Sequence, residues 1–292
     1  MKILLLINFL LAFSVTYSQY DKQSANEDVI EYHNLFDSTM REGVSCYRIP
    51  AIITAPNADL LVAIDERVPS CRDLKWSKDI NIVVRRSSDT GNTWSEIETV
   101  VDYPYGQSAS DPSMIVDQVT GEIFLFFNFM DLDNEKDVYY LKVVRSRDNG
   151  RSWSSPIDIT SQITKPEWNN DFKFITSGRG IQTSTGKLLH TLVNLENHLH
   201  LFESDDHGKT WSLIDTPIIP ANESKVVELA DGSWMINSRI EGGGLRFVHT
   251  SSDQGKSWIS RPDSSLCVLA NGDIGLFFES DDYKENVLSA LH

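Results

Sequence analysis

The chain repeats one short pattern four times, and this repetition limits the folds open to it more than any other feature. The pattern is S-x-D-x-G-x-[ST]-W, and it occurs at residues 87–94, 146–153, 204–211 and 251–258. Its four aspartates are 59, 58 and 47 residues apart. Near-regular recurrence of one signature indicates an architecture of repeated structural units.

Each copy has the composition of a tight turn between two strands. Asp and Ser can cap nearby backbone N–H groups, Gly permits a positive φ, and Trp can pack beneath the turn. Apolar runs of strand length precede the first three copies, at residues 80–84, 139–144 and 199–202, whereas helix-period patterns are scarce. Repeated four-stranded units with a turn at a fixed place predict an all-β protein with a β-propeller architecture. We expect the turn residues to hold the blades together and to do no chemistry.

Composition and charge exclude several classes of protein. The 292 residues are 40% hydrophobic, so the chain can bury a large core as one β domain or two smaller ones. A net charge of −16 argues against binding to nucleic acid or to anionic membrane surfaces. Three cysteines are too few for a disulfide scaffold, and Cys46 and Cys71 fit a disulfide and buried free thiols equally well. The seven histidines show no metal-ligand spacing, so neither a metal nor a cofactor is expected.

The first 18 residues have the pattern of a secretory signal peptide. Lys2 precedes an apolar run from Ile3 to about Phe13, and small and polar residues continue to Ser18. The apolar run is short compared with the ~20 residues of a membrane span. We therefore expect residues 1–18 to be removed during export to a secreted or periplasmic location, and no later segment to cross a membrane.

The segment "YRIP" places Arg48 at the entry to an apolar run, where a guanidinium needs an anionic partner. Together with the four turns, this segment resembles the exo-α-sialidase (neuraminidase) family, in which such turns are called Asp-boxes. The resemblance implies a sialidase-like β-propeller domain over residues 19–292, of a type that typically has six blades in the family. It also implies that the protein removes terminal sialic acids from glycoproteins, glycolipids or oligosaccharides. Asp-boxes also occur in unrelated propellers, so the function depends on the site residues.

Sialic acid carries a carboxylate at its anomeric carbon, and guanidinium groups pair bidentately with carboxylates. The resemblance makes Arg48 the first arginine of a carboxylate-binding triad and Arg67 a further arginine near the site. Asp73 matches the general acid/base, and Asp79 is a rival that has the position of a strand-entry residue. Asp111 matches an aspartate that helps to bind the N-acyl group, although a turn just before an apolar strand would also explain it.

A second segment with close likeness to the family is "NESKVVELADGSWMINSR", residues 222–239. The resemblance makes Glu223 the carboxylate that activates a tyrosine nucleophile, and Arg239 the second triad arginine. Glu228 is an alternative to Glu223. The "ADG" at 230–232 is a hairpin signal, so we expect two strands that return Arg239 to the end that holds Glu223.

The resemblance breaks after the fourth turn. In the family, a long stretch there supplies the third triad arginine and the nucleophilic tyrosine before a last strand pair. Here the strand pair at 266–279 begins eight residues after Trp258, and Asp263 stands where the tyrosine is expected. We therefore expect an internal truncation near 258–266 that leaves the propeller one blade short. Two hypotheses follow: a sialidase-family hydrolase with little or no activity, and a non-catalytic propeller that binds sialylated glycans.

Overall fold

The fold is built almost entirely from β-strands. The computed structural model describes residues 34–241, 246–263, 266–268 and 274–276. The expected signal peptide at 1–18 lies outside these residues. All the described strands belong to one compact unit, which begins at Leu35. The prediction of an all-β protein is confirmed.

The first two sheets each contain four consecutive antiparallel strands. The first sheet has the order β1 (Cys46–Thr54), β2 (Leu60–Arg67), β3 (Ile80–Ser87) and β4 (Glu98–Val101). The second sheet has the order β5 (Gln107–Val116), β6 (Ile123–Asp131), β7 (Tyr140–Ser146) and β8 (Ile157–Asp158).

Three short strands come next in the chain, and they are divided between the second and third sheets. These are β9 (Lys173–Ile175), β10 (Gly178–Arg179) and β11 (Ile181–Gln182). Strands β9 and β11 pair with the next strand, β12 (Leu188–Asn194), whereas β10 pairs in parallel with β5 of the second sheet. The third sheet continues through β13 (His198–Ser204) and β14 (Ser212–Ile218).

The fourth sheet and a final strand pair complete the described strands. The fourth sheet has the order β15 (Ser224–Glu228), β16 (Trp234–Ser238), β17 (Arg246–Ser251) and β18 (Ile259–Asp263). The final pair is β19 (Leu266–Val268) with β20 (Ile274–Leu276). The helices are short: α1 (Thr160–Ile163) and the 3₁₀ turns Ser38–Met40, Leu74–Trp76 and Pro166–Trp168.

The core lies between successive sheets, as it does in a propeller. Each of three apolar clusters contains fully or almost fully buried side chains from two neighbouring sheets. Examples from the first, second and third clusters are Leu61 with Phe127, Phe126 with Phe202, and Leu201 with Ile236. The face-to-face packing of consecutive four-stranded units confirms the prediction of a β-propeller architecture.

The four repeat turns join the third and fourth strands of the four sheets and share one hydrogen-bond pattern. In the second sheet, Asp148 accepts hydrogen bonds from the N–H and hydroxyl of Ser152, at 2.8 and 2.5 Å. The N–H of Gly150, whose φ is +78°, donates to the hydroxyl of Ser146 at 2.8 Å. The hydrogen bond from the Ser152 hydroxyl is the first of several that lower the pKa of Asp148 to about 2. Because the strands are antiparallel, these turns lie at one end of the sheets. The end of β2, the start of β15 and the end of β16, which adjoin Arg67, Glu223 and Arg239, lie at the other end.

Candidate functional site

The pairing of β1 with β2 brings the first candidate residues onto one face of the first sheet. Arg48 lies opposite Asp65, and Cys46 lies opposite Arg67. Residues that face each other in an antiparallel pair share a side of the sheet, as do residues two positions apart in one strand. The strands therefore present Cys46, Arg48, Asp65 and Arg67 together, beside the loop that follows β2.

Two arginines converge on one carboxylate oxygen. Nη1 of Arg48 lies 3.1 Å from Oδ1 of Asp73, and Nη1 of Arg67 lies 2.6 Å from the same atom. Both nitrogens also donate to the carbonyl oxygen of Cys71, at 3.2 Å. The Arg67 side chain is buried, whereas those of Arg48 and Asp73 are partly exposed. The three residues form an anion-binding fork that is accessible from solvent.

A disulfide ties the loop that carries Asp73 to the strand that carries Arg48. Cys46 and Cys71 are bonded, with their Cα atoms 5.7 Å apart. Of the two states that the sequence allows, the structure has the disulfide. Because Cys71 also supplies the carbonyl that both arginines contact, the bond holds the loop and the fork in one unit.

Asp65 is a site residue to which the sequence analysis gave no role. Its buried carboxylate accepts from Nε and Nη2 of Arg67, at 3.1 and 2.8 Å, and from the Ser110 hydroxyl at 2.7 Å. It also accepts from the N–H of Asp111 at 2.9 Å. Burial and the charge of Asp111 raise the pKa of Asp65 to about 7, although Arg67 and Ser110 oppose the shift. Its spacing, two residues before Arg67 in one strand, is the signal that could have identified it.

Asp111 lies inside β5 and not ahead of it, so the predicted position just before the strand is wrong. The strand starts earlier than the apolar pattern indicates, and Asp111 occupies a bulge with φ of +60°. Its Oδ2 accepts from Nδ2 of Asn128 at 3.1 Å. Burial is the main cause of its raised pKa; the charge of Glu223 adds to the shift, and Asn128 and Arg67 oppose it. Asp111 is therefore within electrostatic reach of residues from the first and fourth sheets.

Glu223 and Arg239 flank the β15–β16 hairpin and form an ion pair. Nη2 of Arg239 lies 3.2 Å from Oε1 of Glu223, and both side chains are about half exposed. The backbone N–H of Arg239 also donates to the carbonyl of Glu223 at 3.3 Å. The register of the hairpin confirms the prediction that the two strands return Arg239 to Glu223.

The two rival carboxylates lie elsewhere. Glu228 is at the opposite end of β15, where it accepts from the N–H and hydroxyl of Ser184 at 2.6 and 3.1 Å. Asp79 precedes β3 and its backbone carbonyl accepts from the N–H of Val68 at 2.9 Å. The arginine fork contacts Asp73, and Glu223 meets Arg239, so the geometry favours Asp73 and Glu223.

A cleft of about 240 Å³ adjoins the Glu223–Arg239 pair. Lys225 lines it, and its ammonium group donates to the carbonyl of Ser177 and, at 3.3 Å, to the hydroxyl of Thr176. Burial lowers the pKa of Lys225 to about 8, against the opposing charge of Glu223. The sequence analysis assigned no role to Lys225, although its position two residues after Glu223 in a strand puts both on one face.

The tyrosine expected beside Glu223 is not found in the described part of the chain. Among these residues, the carboxylate of Glu223 forms an ion pair with Arg239. Asp263, at the position expected for the tyrosine, ends β18. A hydrogen bond of 3.0 Å does join Tyr47 to Glu66, but neighbouring residues of a strand point to opposite faces, so Tyr47 points away from Arg48.

No group of three or more His, Cys, Asp or Glu side chains among residues 34–241 and the later described segments could hold a metal ion. Over the same residues, no helix has the length and apolar character needed to cross a membrane.

Comparison with known proteins relates this site to a family. The family model described as a BNR repeat-like domain matches residues 76–276, well over half of the chain. A sialidase of Micromonospora viridifaciens is 35% identical in an alignment of 245 residues that covers 75% of this chain and 36% of that protein. A sialidase of Bacteroides fragilis (strain YCH46) is 29% identical in an alignment of 271 residues that covers 84% of this chain and 48% of that protein.

A solved structure agrees with these relatives. The Hadza microbial sialidase Hz136 superposes with a TM-score of 0.68 at 30% identity, over 75% of this chain and 47% of that chain. The chain belongs to the BNR repeat-like domain family, and it is similar to sialidases in sequence and in fold. It spans between about a third and a half of the length of these relatives.

Proposed function

We propose that the protein acts on terminal sialic acids of glycoproteins, glycolipids or oligosaccharides, as an exo-α-sialidase. The observation that carries this proposal is the fork in which Arg48 and Arg67 hold one carboxylate oxygen of Asp73. A site that holds a carboxylate between guanidinium groups suits a sugar whose anomeric carbon bears a carboxylate. The sialidase relatives support the same substrate class.

Each site residue has a proposed role. Arg48 and Arg239 bind the substrate carboxylate, which competes with Asp73 for Arg48 and with Glu223 for Arg239. Asp73 donates a proton to the leaving oxygen, and Arg67 holds the loop that carries it. Asp111 receives the N-acyl group. Glu223 has the position of the carboxylate that activates a tyrosine nucleophile in the family, because an ordinary phenol is mostly protonated at neutral pH, but this chain has Asp263 where that tyrosine is expected.

A second function is favoured by the surroundings of Glu223. Among the described residues its carboxylate contacts Arg239, and no tyrosine hydroxyl is among its hydrogen-bond partners. Removal of a catalytic nucleophile commonly costs several orders of magnitude in turnover. A protein with the arginine fork and no nucleophile would bind sialosides without hydrolysing them.

A fluorogenic sialoside assay on the purified protein tests the hydrolase. We expect turnover that Asp73→Asn abolishes or reduces by at least ~100-fold, since Asp73 is the proposed general acid. Turnover that is the same in the variant would contradict the assignment of Asp73.

Calorimetry with sialic acid tests binding independently of turnover. Arg48→Ala should weaken binding by about 2 kcal/mol or more, because one charge-assisted pair to the carboxylate is lost. Arg151→Ala is the matched control, since Arg151 is an exposed arginine in a repeat turn at the other end of the sheets. Binding without turnover would support the non-catalytic protein, and an affinity unchanged by Arg48→Ala would contradict both functions.

We also propose that the protein is exported. The Cys46–Cys71 disulfide supports this proposal, because disulfides persist mainly in oxidising compartments. The mass of protein recovered outside the cytoplasm of an expressing cell should correspond to cleavage after Ser18. Recovery of the uncleaved chain from the cytoplasm alone would contradict export.

A further inference from the structure

A large aromatic side chain is left exposed on the turn that carries the proposed general acid. Trp76 is 62% exposed and belongs to the 3₁₀ turn Leu74–Trp76, which Asp73 begins. The N–H of Trp76 donates to the carbonyl of Asp73 at 2.8 Å, while the side chain of Leu74 in the same turn is buried against Met130 and Tyr139. The turn is therefore anchored by Leu74 and presents Trp76 to solvent.

A second exposed aromatic lies on the neighbouring segment. Tyr105, just before β5, is 67% exposed. The N–H of Gly106 donates to the carbonyl of Lys78 at 2.8 Å, and the hydroxyl of Ser108 donates to the carbonyl of Ser77 at 2.6 Å. The Lys78 ammonium also lies 6.0 Å from the centroid of the Tyr105 ring. The segments that carry the two aromatic residues are thus hydrogen-bonded to each other.

The hydrogen bond from the N–H of Trp76 to the carbonyl of Asp73 puts Trp76 in the same turn as the proposed acid. The oxygen that receives the proton has to come within about 3 Å of Asp73, so the sugar bonded to that oxygen lies next to the Asp73 turn. In a turn of this kind the first and fourth Cα atoms are less than ~7 Å apart, which is comparable with the width of one pyranose ring. Hexose rings present C–H groups on one face, and the negative face of an aromatic ring attracts them.

We propose that Trp76 and Tyr105 form a binding site for the neutral sugars that follow the terminal sialic acid. This site, the aromatic shelf, consists of Trp76, Tyr105 and the neighbouring Lys78. It rests on the proposed function, because the position of Asp73 as the acid defines where the neutral sugars lie. The shelf gives the protein a preference for extended glycans over the free monosaccharide.

The test compares two ligands that differ only in the neutral sugars. Sialyllactose and free sialic acid are titrated by calorimetry into the wild type, Trp76→Ala and Tyr105→Ala. Val119→Ala is the control, because Val119 is 69% exposed in the turn between β5 and β6, at the opposite end of the sheets. We expect Trp76→Ala to weaken sialyllactose binding by about tenfold, with a smaller loss for Tyr105→Ala. Free sialic acid binding should not change in either variant, and Val119→Ala should change neither ligand.

Three outcomes decide against the shelf or separate it from the proposed function. If Trp76→Ala loses affinity equally for both ligands, Trp76 contacts the terminal sialic acid. If its affinity for sialyllactose is unchanged, Trp76 does not contact the glycan. Either result overturns the proposal. If the wild type binds no sialic acid, the proposed function fails, and lactose then tests the shelf alone. A lactose-dependent change in tryptophan fluorescence that Trp76→Ala abolishes would support a neutral-sugar site, and its absence at high millimolar lactose would overturn it.

Discussion

The carboxylate of Asp65 and the guanidinium of Arg67 form a buried ion pair in which Oδ2 accepts from both Nε and Nη2. Both side chains are almost completely inaccessible to solvent. With two of its nitrogens held by Asp65, Arg67 directs the third, Nη1, towards Asp73. The orientation of the proposed acid loop therefore depends on a residue that does not itself reach the solvent.

Asp65→Asn should destabilise the protein strongly. The substitution keeps the size of the side chain but leaves the buried Arg67 guanidinium without its carboxylate partner, at a cost of about 3–5 kcal/mol. Urea unfolding measures the loss. Asp102→Asn is the matched control, since Asp102 is exposed, and it should change stability by less than ~0.5 kcal/mol. A variant as stable as the wild type would show that the pair is dispensable.

Loss of the Cys46–Cys71 disulfide should lower both stability and sialoside affinity. The bond closes a loop with a sequence separation of 25 residues, and the unfolded chain gains entropy worth about 3 kcal/mol when such a loop opens. The freed loop also carries Asp73 and the Cys71 carbonyl, which both arginines contact. Thermal unfolding and calorimetry with and without a reductant measure the two effects. In the Cys46→Ser/Cys71→Ser variant the reductant should have no further effect; an equal response there would contradict the explanation.

The buried His249 should make stability fall on mild acidification. Its two ring nitrogens lie 2.8 and 2.7 Å from the hydroxyls of Ser238 and Ser260, and burial lowers its pKa to about 4. The unfolded chain, with a pKa near 6.5, binds the proton more readily, so this stabilisation is lost as the pH falls from about 6.5 towards 4. The full effect is at most about 3 kcal/mol.

Unfolding measured at several pH values checks the effect of His249. The free energy of unfolding of the wild type should fall more steeply over this range than that of His249→Gln. His198→Asn is the control, because His198 is exposed and Asn tolerates its φ of +69°. Parallel pH profiles for the wild type and His249→Gln would contradict the assignment.

Asp148→Ala should destabilise the protein without changing the affinity for sialic acid. The substitution removes hydrogen bonds to the backbone and hydroxyl of Ser152, and comparable caps contribute about 1–2 kcal/mol. The turn lies at the end of the sheets away from Arg48 and Asp73. Thermal unfolding and calorimetry on the same sample separate the two effects, and a coupled loss of affinity would show that the turns influence the site.

The features that the sequence predicted correctly are those with short-range signals. The repeat turns carry one signature each, and the "ADG" turn sets the register that joins Glu223 to Arg239. Asp111 was misplaced because the polar residues "QSAS", which precede it, do not show the alternation of a half-buried strand, yet they form the buried first half of β5. There the neighbouring sheets, and not the residues themselves, determine burial.

The features that could not be predicted from the sequence depend on contacts between residues that are far apart in the chain. Whether Cys46 and Cys71 pair depends on how the loop after β2 folds back to β1, which residue types alone do not reveal. The sequence pattern does not distinguish Asp65 from a surface charge, because its partners in the second sheet come from a different part of the chain. Glu223 could be separated from Glu228 only once the hairpin showed which end of β15 meets Arg239.

The pairing of β10 with β5 has a consequence for how the molecule opens. Gly178 and Arg179 bond along the edge of the second sheet, while β9 and β11, on either side of them in the chain, bond to the third. The ten residues 173–182 therefore pair with strands of both the second and the third sheet. Separation of these two sheets would break hydrogen bonds in both. The amide protons of the second and third sheets next to residues 173–182 should therefore exchange with solvent in a single cooperative event.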